Sequence, residues 1–202
     1  MMMSTGPTTA ERIKQAALTM FTESGYEGAS LSEIARAVGI KTPSIYAHYK
    51  SKEQLFLQLI KEVIVEERKQ YMDLLQVIAQ EPIKEQVYRL FEFFTDLKHI
   101  TTGQAFLKRT ILVPPRHLRD QLRDDFMRYE NELTEGIAVV LHKGASVGLF
   151  DSREEERLIA VFYVCVDGLL VENQLYEEEL FEKRKQMVWL SLWQLWTMTA
   201  RG

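Results

Sequence analysis

Apolar residues recur along this chain with the period of a helix and hardly anywhere with the alternation of a strand. Ile13, Ala16, Ala17, Met20 and Phe21 stand at i, i+3, i+4, i+7 and i+8, which predicts a helix over 9–24 ended by Gly25. Leu31, Ile34, Ala35 and Val38 predict a second over 31–38, with Gly39 at the left-handed position that closes helices. Thr42 suits an N-cap and Pro43 the first turn of a third helix running to about Tyr49. Hydroxyl residues followed three positions later by Glu or Gln mark helix starts at Thr8, Ser30, Ser51 and Ser152. A fourth helix is expected from Ser51 to about Ala79, broken by Glu81-Pro82. Further helices are expected near 82–99, 104–112, 116–143, 153–176 and 180–199, giving an all-α chain of about nine. The last is apolar almost all round (Val188, Trp189, Leu192, Trp193, Leu195, Trp196), more than one core face needs, and this predicts a subunit interface.

Composition narrows the class. Of 202 residues, 46% are apolar and 27% charged, which is globular and not disordered. The net charge of −4 is unevenly spread. Residues 1–60 hold six Lys/Arg against five acids, or +1, and the rest hold 25 − 6 = 19 against 29 − 5 = 24, or −5. An acidic body repels DNA, so any DNA contact falls to the N-terminal part. From Ile34 to Lys52 there are four cations, Arg36, Lys41, Lys50 and Lys52, and no acid. The one cysteine, Cys165, permits no internal disulfide, which suits a reducing cytosol, and its apolar surroundings predict a packing thiol. The first residues lack the basic and apolar regions of a signal peptide, and the longest apolar run, Leu158–Val166 with Ala160–Val166 at its end, is far short of the roughly 20 residues a membrane span needs. A cytoplasmic protein without membrane contact is expected.

Two short helices joined by a glycine turn form a helix-turn-helix, and a helix of about seven residues fits a major groove roughly 12 Å wide. Ile34, Val38, Ile45 and Tyr49 are expected to hold the pair together, leaving Thr42, Ser44, Tyr46, Ala47 and His48 outward. Hydroxyls and helix N-termini bind phosphate, and Lys52 adds charge at the next helix start. Lys41, Thr42, Ser44, Ala47 and His48 are the base-reading candidates, with the small Ala47 suited to a thymine methyl.

The run Ile45-Tyr46-Ala47-His48-Tyr49-Lys50-Ser51-Lys52-Glu53-Gln54-Leu55, with Ala35 and Gly39 before it, resembles the N-terminal domain of TetR/AcrR-family transcriptional regulators. In that family the run has Leu at the place of Ile45 and Phe at that of Tyr49, and both replacements keep an apolar body. The motif covers about 50 residues; beyond it only length and helical character agree. The resemblance implies a helix-turn-helix domain over 9–55 and a helical ligand-binding and dimerisation domain over 56–202. It implies DNA contacts at Thr42, Ser44, Tyr46, His48 and Lys52, with phosphate anchored at Ser30 and Ser32, and Pro43 within the same segment is a further candidate. It also implies a homodimer on operator DNA, pairing through the last two helices into a four-helix bundle. The interface candidates are Ile159, Phe162, Val166, Leu170, Val188, Leu192, Leu195 and Trp196. A small, apolar or aromatic ligand is expected to release the protein, as a repressor, from its operator. Phe91, Phe94, Phe106, Phe126, Tyr129, Phe162 and Asp167 are the ligand candidates, although aromatics at helical spacing also build ordinary cores. Asp167, set in an apolar run, is expected to be buried and paired, toward a ligand or across the dimer. Control by a protein partner, or action as an activator, is compatible with the same residues.

An enzyme is the rival class. Gly144-Ala145-Ser146-Val147-Gly148 matches Gly-x-Ser-x-Gly, but a nucleophile elbow needs a strand before it and a helix after it, and here a long helix precedes. The four histidines lack metal spacing, and phosphate- or dinucleotide-binding glycine loops are absent. No catalytic residue, metal or cofactor is expected.

Overall fold

The structure is a computed structural model that describes residues 6–198. Among these it has nine α-helices and no strand: α1 (Thr9–Gly28), α2 (Leu31–Val38), α3 (Thr42–Ile45), α4 (Lys52–Ile78), α5 (Ile83–Thr95), α6 (Thr102–Leu112), α7 (Arg119–Ser146), α8 (Glu155–Glu172) and α9 (Glu178–Met198). Short 3-10 turns precede α7 at Arg116–Leu118 and α8 at Ser152–Glu154. No described helix is long and apolar enough to cross a membrane. Residues 1–5, read above for a signal peptide, and residue 199 of the last expected helix lie outside the described residues.

The caps explain where helices begin. Thr8 and Ser30 form full capping boxes with Glu11 and Glu33. At α4 the Ser51 hydroxyl accepts from Gln54 N–H at 3.0 Å, while the Gln54 side chain takes Lys50 N–H at 2.6 Å. The box expected at Ser152 does not form; Asp151 caps that turn through Arg153 N–H. A box that was not expected closes Thr101 on Gln104, starting α6 two residues earlier than its apolar pattern.

The chain folds as two compact units. The first takes the chain up to Lys69 together with Ile100–Met127; the second takes Gln70–His99 with the chain from Arg128 onward. This division differs from the 9–55 and 56–202 segments drawn from the motif, because α6 packs along α1. In the first unit Ile13, Ala17 and Phe21 of α1 and Ile34, Ala35 and Val38 of α2 form a buried core, with Leu55, Phe56 and Ile60 of α4 also buried. Phe21, Phe56 and Phe106 close it with ring centroids 5.0–6.1 Å apart. Burying each such ring contributes about 1.5–3 kcal/mol. In the second unit Phe94 meets Phe162 at 5.6 Å, Trp189 meets Tyr88 and Phe91, and the buried Tyr71 hydroxyl donates to Leu133 C=O at 2.7 Å.

Gly144–Ser146 form the last turn of α7, with Gly148 at φ 74° and Leu149 N–H returning to Gly144 C=O. The Gly-x-Ser-x-Gly segment is a helix C-cap, and Ser146 donates to Lys143 C=O.

Candidate nucleic-acid interface

The site is built on α2 and the turn that follows. Gly39 sits at φ 75°, where a Cβ is disfavoured, so α2 ends there: Gly39 N–H returns to Arg36 C=O and Ile40 N–H to Ala35 C=O. Arg12 of α1 donates to Val38 C=O, fastening this corner to α1. Lys41 then caps α3 without a side-chain bond, and Thr42 is already helical. The third helix is thus shorter than the expected seven residues: regular α-helix stops at Ile45, and His48 and Tyr49 N–H both return to Ile45 C=O in a closing turn.

Ile45 and Tyr49 are buried, as their role in joining the helices requires. Lys41, Pro43, Ser44, Tyr46, Ala47 and His48 are exposed, and Tyr46 is 56% so despite its size. Thr42 is half-buried, with its hydroxyl 3.4 Å from that of the exposed Ser32. Ser30 is committed to its capping box: its hydroxyl donates to Glu33 at 2.7 Å and accepts from Glu33 N–H at 3.2 Å.

Lys52 has an internal role that sequence reasoning did not foresee. Its ammonium donates to Tyr26 C=O at 2.7 Å and Ala29 C=O at 3.1 Å, and lies 4.1 Å from the centre of the Tyr26 ring. Its charge neutralises carbonyls at the end of α1. Arg36, Lys41 and Lys50 are exposed and make no ion pair among the described residues. Arg36 and Lys50 were not among the contact candidates; the acid-free window that contains them was the available signal.

The ligand candidates divide between the units. Phe106 is wholly buried in the first unit's aromatic core, and Phe126 is half-buried in that unit. Phe91, Phe94, Tyr129 and Phe162 belong to the second, where Phe91 and Phe162 are wholly buried. Asp167 is exposed on α8, not buried as expected, because the core of α8 is taken by Leu158, Phe162, Val166 and Leu169 one face away.

The interface candidates divide similarly. Phe162, Val166, Leu192 and Trp196 are buried within the chain itself, so they are core. Ile159, Leu170, Val188 and Leu195 are half-buried. A groove of about 390 Å³ between α8 and α9 is lined by Val161, Cys165, Met187, Val188, Ser191 and Leu195 among others. Cys165 is half-buried there, and burial pushes its thiol pKa up.

Residues 13–59 match the sequence profile of "Bacterial regulatory proteins, tetR family". The biofilm operon icaADBC HTH-type negative transcriptional regulator IcaR of Staphylococcus aureus is 41% identical over 51 residues, 25% of this chain and 27% of that protein. The chain thus spans about a quarter of the length of the curated relatives it matches. Over nearly the full chain the fold matches a TetR transcriptional regulator from Chloroflexus aurantiacus (TM-score 0.73, 21% identity, 92% of each chain). It also matches a TetR-family regulator from Agrobacterium tumefaciens (TM-score 0.71, 21% identity, 94% of this chain and 97% of that one). Residues 13–59 are thus similar to the tetR family of bacterial regulatory proteins, and the whole chain has the fold of the two regulators it matches.

Proposed function

We propose that this protein is a sequence-specific DNA-binding transcriptional regulator that acts as a homodimeric repressor in the cytoplasm. The observation that carries the reading is the face from Lys41 to Lys50: polar, cationic and exposed, on a turn whose apolar residues Ile45 and Tyr49 are buried. Lys41, Thr42, Pro43, Ser44, Tyr46, Ala47 and His48 supply contact and register, Ser32 stands at the start of α2, and Arg36 and Lys50 add charge toward phosphate. Ser30 and Lys52 act by holding α2 and α4 in place. Repression is supported by the description of IcaR as a negative regulator.

Dimerisation is supported by a stripe on α8, Ala160, Val164, Gly168 and Val171, and one on α9, Met187, Leu190 and Met198, all exposed. A Cβ at Gly168 would meet nothing within 4 Å, so a second helix has room to approach. Two modules then read half-sites about 34–36 Å apart on a near-palindromic operator. A small apolar or aromatic ligand held by second-unit aromatics, Phe91, Phe94 and Phe162 among them, releases the DNA through a coupling of about 1–3 kcal/mol.

Selection from random duplexes tests the reading directly. A near-palindromic consensus is expected, with His48→Ala and Tyr46→Ala each weakening binding by about tenfold or more. Recovery of no consensus at any salt concentration would sink it.

A further inference from the structure

Beside the end of α1, within the first unit, lies a cleft of about 400 Å³. Its lining includes Tyr26, Pro114, Pro115 and the three arginines Arg109, Arg116 and Arg119. Several cations of this acidic chain pair with carboxylates: Lys14 with Glu62, Lys98 with Glu178, Arg153 with Asp151, Arg184 with Glu172. These three arginines have no ion pair among the described residues, although they share one cleft and repel one another. The kink in α1 seats one of them. Gly25 stands at φ 72°, and a Cβ there would come within 3.1 Å of an Arg109 guanidinium nitrogen, so that head group lies close against the glycine. Pro114-Pro115 stiffens its own part of the lining.

Guanidinium forks match carboxylate and phosphate oxygens in pairs. Glu27, on the rim, offsets one of the three charges, so the lining favours a ligand carrying at least two. We infer that this cleft binds a small multivalent anion, phosphorylated or polycarboxylic, which acts as an effector of the DNA-binding face. The effector role rests on the DNA-binding reading above. The route runs through Tyr26, which lines the cleft and carries the Lys52 ammonium on its ring and carbonyl. The His117 ring lies tilted against the same ring, with centroids 5.1 Å apart, and stands 3.6 Å from Glu53. Lys52 and Glu53 open α4 directly after the recognition segment, so a ligand that shifts Tyr26 shifts the start of α4.

The test titrates inorganic pyrophosphate and citrate into the free full-length protein by calorimetry, against sodium chloride at matched ionic strength. Saturable binding is expected, weakened about tenfold or more in the double variant Arg116→Gln/Arg119→Gln and in Arg109→Gln. All three side chains are exposed, and unchanged melting curves establish folding of the variants. A response to pyrophosphate alone identifies a phosphorylated ligand, and to citrate alone a polycarboxylate. Equal heats in wild type and both variants, or no heat beyond chloride, overturn the site. A second arm measures affinity for a selected duplex with and without the anion. A change of about fivefold or more, absent in the variants, is expected. Anion binding with unchanged DNA affinity overturns the effector role, whereas failure to select any duplex counts against the DNA reading and leaves the calorimetric result standing.

Discussion

The surface around α3 and the surface along α8 and α9 are both exposed, yet they are built in opposite ways. Around α3 the large apolar groups are turned inward at Ile45 and Tyr49, and hydroxyls, an imidazole and lysines face water. Along α8 and α9 both kinds of position are apolar: Phe162, Leu192 and Trp196 fill the core, while Val164 at 72% and Leu190 at 60% exposure remain outside. The first surface suits a hydrated, charged polymer, whose affinity comes from counterion release. The second suits an apolar partner whose affinity comes from removing surface from water. One chain presents two surfaces that obey different physics, and salt and apolar substitution should separate them.

The sharpest separation lies within α9. Leu192→Glu places a charge where the wild-type side chain is 2% exposed, and should cost about 4 kcal/mol or more, seen as loss of cooperative melting. Leu190→Glu, two residues away and facing outward, should leave the melting transition intact and raise the dimer dissociation constant about a hundredfold by sedimentation. A folded, still dimeric Leu190→Glu protein would refute the assignment of that face. Next in size is Lys52→Ala, which removes two charge-assisted bonds to the end of α1 and should lower stability by about 1.5–3 kcal/mol in urea unfolding. Ser30→Ala should cost about 1 kcal/mol by loss of the α2 cap, with Ser30→Thr restoring most of it.

A smaller effect is expected at the exposed lysines. Lys41→Ala and Lys50→Ala should each leave stability unchanged and reduce the salt slope of DNA binding by about 0.9. An unaltered slope would remove that lysine from phosphate. Smallest of all is a pH effect at the turn that leads into α8. Hydrogen bonds from Arg153 hold the Asp151 carboxyl down at about 2. Its contribution is present above the ordinary carboxyl range and is lost as pH falls toward 2, so Asp151→Asn should slightly flatten the melting temperature between pH 4 and pH 2.

The helix-turn-helix could be read from sequence because its determinants are local. The Ser30–Glu33 box spans four residues and Gly39 needs only its own φ, so the bounds of α2 follow from its own residues. The short α3 was harder, since the chain closes on Ile45 by a turn that residue types from 46 to 49 do not announce. Lys52 looked like a phosphate ligand because its partners, Tyr26 and Ala29, lie more than twenty positions back and offer only carbonyls, which every residue has. The breadth of the apolar surface of α9 was visible, but which side faces the chain's own core depends on where Phe150 and Phe162 pack. The Thr101–Gln104 box carried the same signature as the others and lay just ahead of the apolar pattern that marked α6.

Phe106 bears on how the protein comes into being during translation. The helices α1, α2 and α3 are complete by about residue 60, yet the ring that closes their core against Phe21 and Phe56 belongs to α6. Until the ribosome has released that stretch, two aromatic side chains of the nascent module lack their cover and are open to chaperones or to wrong partners. The contiguous N-terminal segment that reads as a self-sufficient module is, in synthesis, an unfinished one.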